Sequence, residues 1–380
     1  MDNINEERDI DVANKRFEFT GKGGEFFAIW IVNVALTILT LGIYSAWAKV
    51  RTQQYFYGNT LLDGASFRYT ASPLQILKGR LIAFAALMAY YVSSTMSPFI
   101  AGSALIILML LVPAFMVMSM SFRLRNSVYR NVRFNFDKNF KTAYKVFAIP
   151  VIIIAGYIFL AGQLQDVQVA EQNEQAFLGM ALLIFLLAMI LMFPWWEYMI
   201  THFKVVHAKY GTSDFSFSAS TKNYYGMYLK MYGMLILLFA VLGGLVGGIA
   251  SNPALAEGLG MIMPFLIIFI ILPAYLWIFA YIQARRTNLL YNNLNLTGVR
   301  VKSQLTATYL MYLYVTNTLA MMISLGLLMP WAKVRTARYR ASVTSVDMTG
   351  DLSKFTAAEE EKQSALGEEM GEMFDMDLGF

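Results

Sequence analysis

Five stretches of the chain carry no Lys or Arg and hold most of its hydrophobic positions: 23–48, 81–122, 146–203, 231–284 and 303–332. A bilayer-crossing helix needs about 20 mostly apolar residues, so each of the three middle stretches is long enough to cross twice. The pattern predicts three helical hairpins near 78–121, 143–201 and 226–284, six full spans, with one further apolar segment at each end. The polar connections have a pattern of their own. A basic residue stands six positions before a tyrosine at Arg51/Tyr57, Arg123/Tyr129, Lys204/Tyr210 and Arg285/Tyr291. Asn or Gly follows, then an alternating apolar pair: Phe67 and Tyr69, Phe134 and Phe136, Phe215 and Phe217, Leu294 and Leu296. This reads as a helix leaving the bilayer with a cationic end and an interfacial Tyr, followed by a short extended stretch. Asp63-Gly64 suits a type I′ turn, so short β-segments pairing into a small cytoplasmic sheet are expected beside the helices.

The two end segments are copies of each other. At a constant offset of 284, ten of 23 positions are identical between Asn33–Tyr55 and Asn317–Tyr339, including the run Trp-Ala-Lys-Val-Arg-Thr. Such internal repetition constrains the architecture before any single motif does. If each end segment crossed once, the two copies would lie on opposite faces and one would violate the positive-inside rule. The alternative is a shortened hairpin that enters and returns, broken at Gly42 and Gly326. Broken backbone at membrane depth is then expected to be buried in protein or to line a wet cavity.

Charge placement sets the expected orientation. The connections 49–80, 123–145, 204–230 and 285–302 hold five, seven, four and four bases, whereas those near 95–99, 162–176 and 250–260 hold none. The acids of the second group are Asp166, Glu171, Glu174 and Glu257. The basic connections, and with them both termini, are expected to be cytoplasmic. Residues 1–16 and 351–380 are acidic, with five and nine acids against three and two bases, while 17–350 has 25 bases and 11 acids. Bases crowded at the ends of apolar segments point to anionic lipid rather than nucleic acid. The N-terminus lacks the basic and apolar regions of a signal peptide, and the absence of cysteine excludes disulfides and thiol chemistry. The expected organisation is a polar tail (1–16), a membrane domain of hairpin repeats (17–350) and an acidic tail (351–380), disordered unless it docks on the basic face. The fold class is all-α polytopic: six full spans plus two terminal re-entrant or single-pass segments.

The WAKVR motif with its preceding Thr40-Leu41-Gly42-Ile43-Tyr44 resembles the YjgN family of bacterial inner-membrane proteins. Phe19-Thr20-Gly21, Glu25-Phe26-Phe27, Asn33, Arg51, Asn59-Thr60 and Phe67-Arg68-Tyr69 extend the likeness, which covers about 17 to 350. It implies a bacterial inner-membrane location and brings no known substrate, cofactor or catalytic residue.

Among candidate residues, Asn33 and Asn317 lie deep in the end segments, where amides either bond neighbouring helices or line a path. Trp47, Lys49 and Arg51, matched by Trp331, Lys333 and Arg335, are headgroup anchors or anion contacts, as are Arg123 and Arg125. Gly243, Gly244, Gly247 and Gly248 form small-xxx-small pairs expected to let helices pack closely. His202 and His207, with Glu197, are spaced by five, about 140° apart on a helix, so no metal site is expected. No catalytic constellation and no cofactor emerge. The expected function is a transporter- or channel-like bundle for a small solute, ion or lipid. The rival is a membrane scaffold binding anionic lipid or protein partners.

Overall fold

The computed structural model describes residues 12–166, 172–260, 262–349 and 351–377. Residues 1–11 of the N-terminal tail and Glu171 lie outside this description. The chain repeats one construction five times. Strand β1 (Val12–Phe19) leads into helices α1 (Gly23–Leu39) and α2 (Ser45–Gly58). Then β2 (Thr60–Leu62) and β3 (Ala65–Tyr69) lead into α3 (Pro73–Met96) and α4 (Pro98–Arg125). Next come β4 (Ser127–Tyr129), β5 (Val132–Phe136), α5 (Phe140–Asp166) and α6 (Gln172–Val206). The fourth repeat is β6 (Ala208–Tyr210), β7 (Ser213–Phe217), α7 (Thr221–Ala250), the short α8 (Pro253–Leu259) and α9 (Met263–Asn292). The fifth is β8 (Leu294–Leu296), β9 (Val299–Ser303), α10 (Ala307–Ile323) and α11 (Met329–Ser342), after which β10 (Thr344–Thr349) and α12 (Leu352–Asp377) close the chain.

Every helical excursion is fastened at its base by one backbone bond. The five are Thr20 N–H to Asn59 O (3.0 Å), Thr70 to Asn126 (3.0 Å), Asp137 to His207 (2.8 Å), Ser218 to Asn293 (3.0 Å) and Gln304 to Val343 (2.9 Å). Each excursion therefore returns to where it began. Between excursions the spacing is fixed: a three-residue strand, two turn residues and a five-residue strand. The turns carry left-handed residues, as tight hairpins require: Asp63 and Gly64, Arg130 and Asn131, Gly211, Thr297 and Gly298.

These ten strands correct the all-α expectation, although helix still dominates. The basic-to-tyrosine spacing of six also proves not to mark one structural place. Tyr57 and Tyr291 end helices α2 and α9, whereas Tyr129 and Tyr210 lie in β4 and β6.

The chain divides into two compact units. One holds 1–32, 59–65 and 218–351, with an antiparallel sheet in the order β2-β1-β10-β9-β8. Its core packs Ala280 and Ala284 of α9 against Leu305, Leu310 and Leu313. The other holds 33–58, 66–217 and 352–380, with the order β3-β4-β5-β6-β7. Cross-strand ring pairs stabilise this second sheet: Phe67–Tyr129 at 4.6 Å and Phe134–Tyr210 at 5.0 Å between centroids. Below it, Val117, Phe136, Ala143, Val146, Phe147 and Phe203 form the junction of α4, α5 and α6.

Among the described residues, six helices are long and apolar enough to cross a membrane: 73–96, 99–125, 140–160, 176–206, 221–250 and 263–292. At most 22% of the most apolar window of any of them is buried, so their surfaces are made for lipid. The small-xxx-small expectation fails within this chain. A Cβ placed on Gly243, Gly244, Gly247 or Gly248 would meet no atom within 4 Å, so no described helix packs there.

Both end segments are broken, and in the same way. Gly42 N–H bonds Thr37 O at 2.8 Å and Leu41 N–H bonds Ile38 O at 3.1 Å; Gly326 and Leu325 repeat this with Met321 (2.7 Å) and Met322 (3.2 Å). This is the paired bonding of a Schellman cap, with Leu41 and Leu325 (both φ 50°) left-handed ahead of Gly42 (92°) and Gly326 (89°). The Thr40 hydroxyl accepts from Tyr44 N–H at 2.9 Å, and Ser324 does the same for Leu328 at 3.0 Å. The N–H groups of both tips are thus satisfied by their own chain, and Leu41 and Leu325 are 95% and 94% exposed.

Candidate functional site

The second end hairpin gathers polar groups along the seam between α10 and α11. Asn317 is buried; its Nδ2 donates to Thr336 Oγ1 at 3.2 Å and to Ala332 O at 3.4 Å. Arg335 donates to Thr316 Oγ1 at 2.6 Å and to Asn317 Oδ1 at 3.4 Å. Its guanidinium also lies 5.0 Å from the Tyr312 ring centroid and 5.2 Å from that of Trp331. Cation–π contacts of this kind contribute about 0.5–2 kcal/mol, most when desolvated. At the base, Tyr339 Oη accepts from Thr306 N–H at 3.0 Å. Asn317 therefore acts first as a bond between helices, one of the two roles the sequence allowed.

The first copy keeps the asparagine and loses the arrangement. Asn33 is as deeply buried as Asn317, yet neither its Nδ2 nor its Oδ1 has a partner among the described residues. Arg51 is exposed. The cause lies in the sequence: the positions matching Thr316 and Tyr312 are Val32 and Ala28, which offer no acceptor and no ring. Nothing draws the first arginine inward, so the duplicated motif yields one closed polar cluster and one orphaned amide.

The remaining candidates are scattered. Trp47 packs beside the core of Ala46, Val50, Tyr69, Ala71 and Ile76 and stacks on Tyr44 at 6.1 Å. Lys49 and Lys333 are exposed. Arg125 donates to Asn135 Oδ1 at 3.1 Å, and Arg123 lies 3.5 Å from Met120 Sδ. His207 Nδ1 is 2.9 Å from Phe203 O, and His202 stands beside Tyr198 and Phe217. Glu197 is buried in α6.

The tail holds a residue that sequence reasoning missed. Instead of a disordered acidic stretch, residues from Leu352 form α12, with Glu359 only 1% exposed. Its Oε2 accepts from Thr212 N–H (2.7 Å), Thr212 Oγ1 (2.9 Å) and Ser213 N–H (3.2 Å), and its Oε1 from Ser213 Oγ (3.0 Å) and Lys362 Nζ (3.1 Å). The helix is held at further points by Arg130 Nη1 to Ser353 Oγ (2.9 Å) and Gln363 Oε1 accepting from Arg133 N–H (3.0 Å). Phe355 stacks on Tyr210 at 6.1 Å, whose phenol is pushed up chiefly by burial. Burial opposes the charge on Glu359, but the Thr212 N–H, Lys362 and the two hydroxyls outweigh it and hold its carboxyl below the usual range. Gly211 makes the approach achievable: a Cβ there would stand 2.6 Å from Glu359 Oε2.

Comparison with known proteins adds location. Residues 14–373 match a family described as bacterial protein of unknown function (DUF898). The chain is 26% identical over 378 residues to the inner membrane protein YjgN of Salmonella typhimurium, covering 93% of each. It is 32% identical over 154 residues to YjgN of Escherichia coli K12, covering 39% of this chain and 38% of that one. No solved structure matches. With six apolar helices and relatives named as inner membrane proteins, the chain is a multi-pass inner-membrane protein.

Proposed function

Taking as premise that the chain belongs to the DUF898 family, we propose that it works at the membrane interface, as a non-transporting scaffold that holds anionic lipid through its basic layer. The observation that carries this reading is the form of the end hairpins. Their tips are apolar, exposed and self-capped, while Lys49, Arg51, Lys333, Arg335, Arg338 and Arg340 lie on the helices that return. Such a hairpin sits part-way into one leaflet with its cations at the headgroups. By the charge rule that face is cytoplasmic, and both termini are with it. The breaks at Gly42 and Gly326, which would favour a permeation path if they lined one, instead face outward. No catalytic or cofactor-dependent step is part of this reading.

The chain has no cysteine, which makes the test direct. A single cysteine at Leu41 or Leu325 should resist impermeant maleimide from both sides and be quenched by lipids spin-labelled in the acyl chain. Labelling from the outer side would show a crossing and end the re-entrant reading. Vesicles containing the protein should show no protein-dependent solute release and no lipid scrambling.

Transport is the second reading, and one observation favours it: the Asn33 amide, buried without a partner. Measured flux that disappears in Asn33→Leu while the protein stays folded would establish transport over the scaffold.

A further inference from the structure

We propose that the seam between α7 and α9 is a binding site for one phospholipid, with its anionic headgroup on Lys222, Lys230 and Arg285. Near the base of this hairpin the two helices line an open cleft of about 470 Å³, against about 10–15 Å³ by the same kind of measure for one water. Lys222 and Lys230 line it from the first turns of α7, Arg285 from the last turns of α9. None of the three has a carboxylate partner among the described residues, and no carboxylate lines the cavity. Among the described residues, Arg285 is steadied by the Tyr281 ring, 5.9 Å from its guanidinium carbon. Three unneutralised cations facing one space repel each other, and an anion relieves that repulsion.

The cavity wall is fixed. Asn288 bonds Ser303 Oγ at 2.8 Å and both the N–H and O of Leu305, while Asn292 bonds the N–H and O of Ser303. These amides are spent on tying α9 to β9, so they frame the site and do not compete for its ligand. Asn223 Oδ1 is likewise engaged by Ser220 at 2.7 and 2.9 Å, which leaves its Nδ2 as a free donor beside the cations.

A lipid, and not a soluble phosphate, is indicated by what lies one turn deeper. Along α7 the face that carries Lys222, Gly226 and Lys230 continues as Met234, Leu237 and Val241; along α9 the face of Arg285 and Tyr281 continues as Ile278, Trp277 and Ala274. These apolar residues line a second groove, of about 320 Å³, on the same pair of helices. At 1.5 Å per residue, Lys222 to Val241 spans about 28 Å, enough for a headgroup and an acyl chain in series. Polar cavity and apolar groove, in register on one seam, match the two ends of an anionic phospholipid.

The site deepens the interfacial reading, on which it relies only for the level of its cations in the membrane. The test uses the full chain in nanodiscs containing equal phosphatidylglycerol and phosphatidylcholine, released into native mass spectrometry. The wild type should retain phosphatidylglycerol with a preference of roughly tenfold or more, as several interfacial charges acting together provide. Lys222→Gln/Lys230→Gln/Arg285→Gln should lose that preference. Lys138→Gln/Lys141→Gln/Lys145→Gln, an equal loss of charge on another hairpin, should keep it. Ala274→Trp, which fills the groove and leaves the cations intact, should lower retained lipid. Thermal melts of each variant show whether it is folded, and Leu238→Trp repeats the groove test should Ala274→Trp fail to fold. Equal loss in both triple variants would overturn the site in favour of bulk electrostatics. Soluble glycerol phosphate displacing the lipid at equal concentration, or an unchanged preference in the first triple variant, would overturn it too. The hairpin-tip labelling reads out separately, so failure here leaves the interfacial topology standing.

Discussion

Removing the Glu359 carboxylate with Glu359→Ala should undock α12 from the second sheet. The carboxylate takes four hydrogen bonds from Thr212 and Ser213, at 2.7–3.2 Å, besides the contact with Lys362. A hydrogen bond to a charged group contributes about 1.5–3 kcal/mol net, and bonds that share one acceptor group do not add fully. A loss of about 3–4 kcal/mol is therefore expected, or two to three decades in the ratio of docked to free helix. Hydrogen exchange on the full-length protein in nanodiscs measures it. Amides of 352–365, with those of Thr212 and Ser213, should exchange roughly a hundredfold faster or more. Glu361→Ala, at an exposed position, should leave them unchanged. Acidification should act in the same direction. The folded carboxyl titrates below its ordinary value, so its contribution is complete above that ordinary value and is lost as pH falls through the depressed one. Glu359→Gln should remove this pH dependence. If exchange in Glu359→Ala matched the wild type, the docking argument would be wrong, because Glu359 is the fully buried charge of α12 among the described residues.

Gly211→Ala should weaken the same docking without touching the tail. Its φ of 60° costs an L-residue about 1–2 kcal/mol, and the new Cβ would displace Glu359; exchange at 352–365 again measures the loss. The two asparagines should part company when changed to leucine. Asn317→Leu breaks the bonds to Thr336 and Arg335 and should cost about 1–2 kcal/mol in thermal or denaturant unfolding. Asn33→Leu removes an amide that is already unpaired and should be neutral or stabilising by about 1 kcal/mol; a clear loss there would reveal a partner such as bound water. Gly64→Ala, at φ 73° in an open turn, should cost about 1 kcal/mol through backbone strain alone.

The six spans were legible because lipid imposes a long, uninterrupted signal: about 20 apolar residues between basic ends. The breaks at Gly42 and Gly326 were legible because a repeat showed them twice. The strands were only partly so. Three- and five-residue segments carry too little periodicity, and of the four strand-connecting turns only Asp63-Gly64 and Gly211-Thr212 use residues favoured for their types, I′ and II′. Arg130-Asn131 places an arginine at φ 45°, which no sequence rule would choose. The tail misled for a different reason. Its charge is that of a solvated segment, and nothing local separates Glu359 from eight other acids in 351–380; its partners lie 146 and 147 residues away. The contrast between Arg335 and Arg51 sits between these cases. It is encoded in Thr316 against Val32 and Tyr312 against Ala28, but only the packed hairpin shows that those positions face the arginine.

The pairing of β1 with β10 also sets a schedule for biogenesis. Val12 lies opposite Thr349, 337 residues later in the chain. At about 5–20 residues per second, the ribosome needs roughly 20–70 s to deliver that partner. Throughout that interval Val12–Arg16 present an open strand edge while successive helical hairpins enter the membrane. Edges of this sort recruit other strands, so a nascent chain stalled or cut before Thr344 should be a substrate for holdases and quality-control proteases, even with all six spans in place.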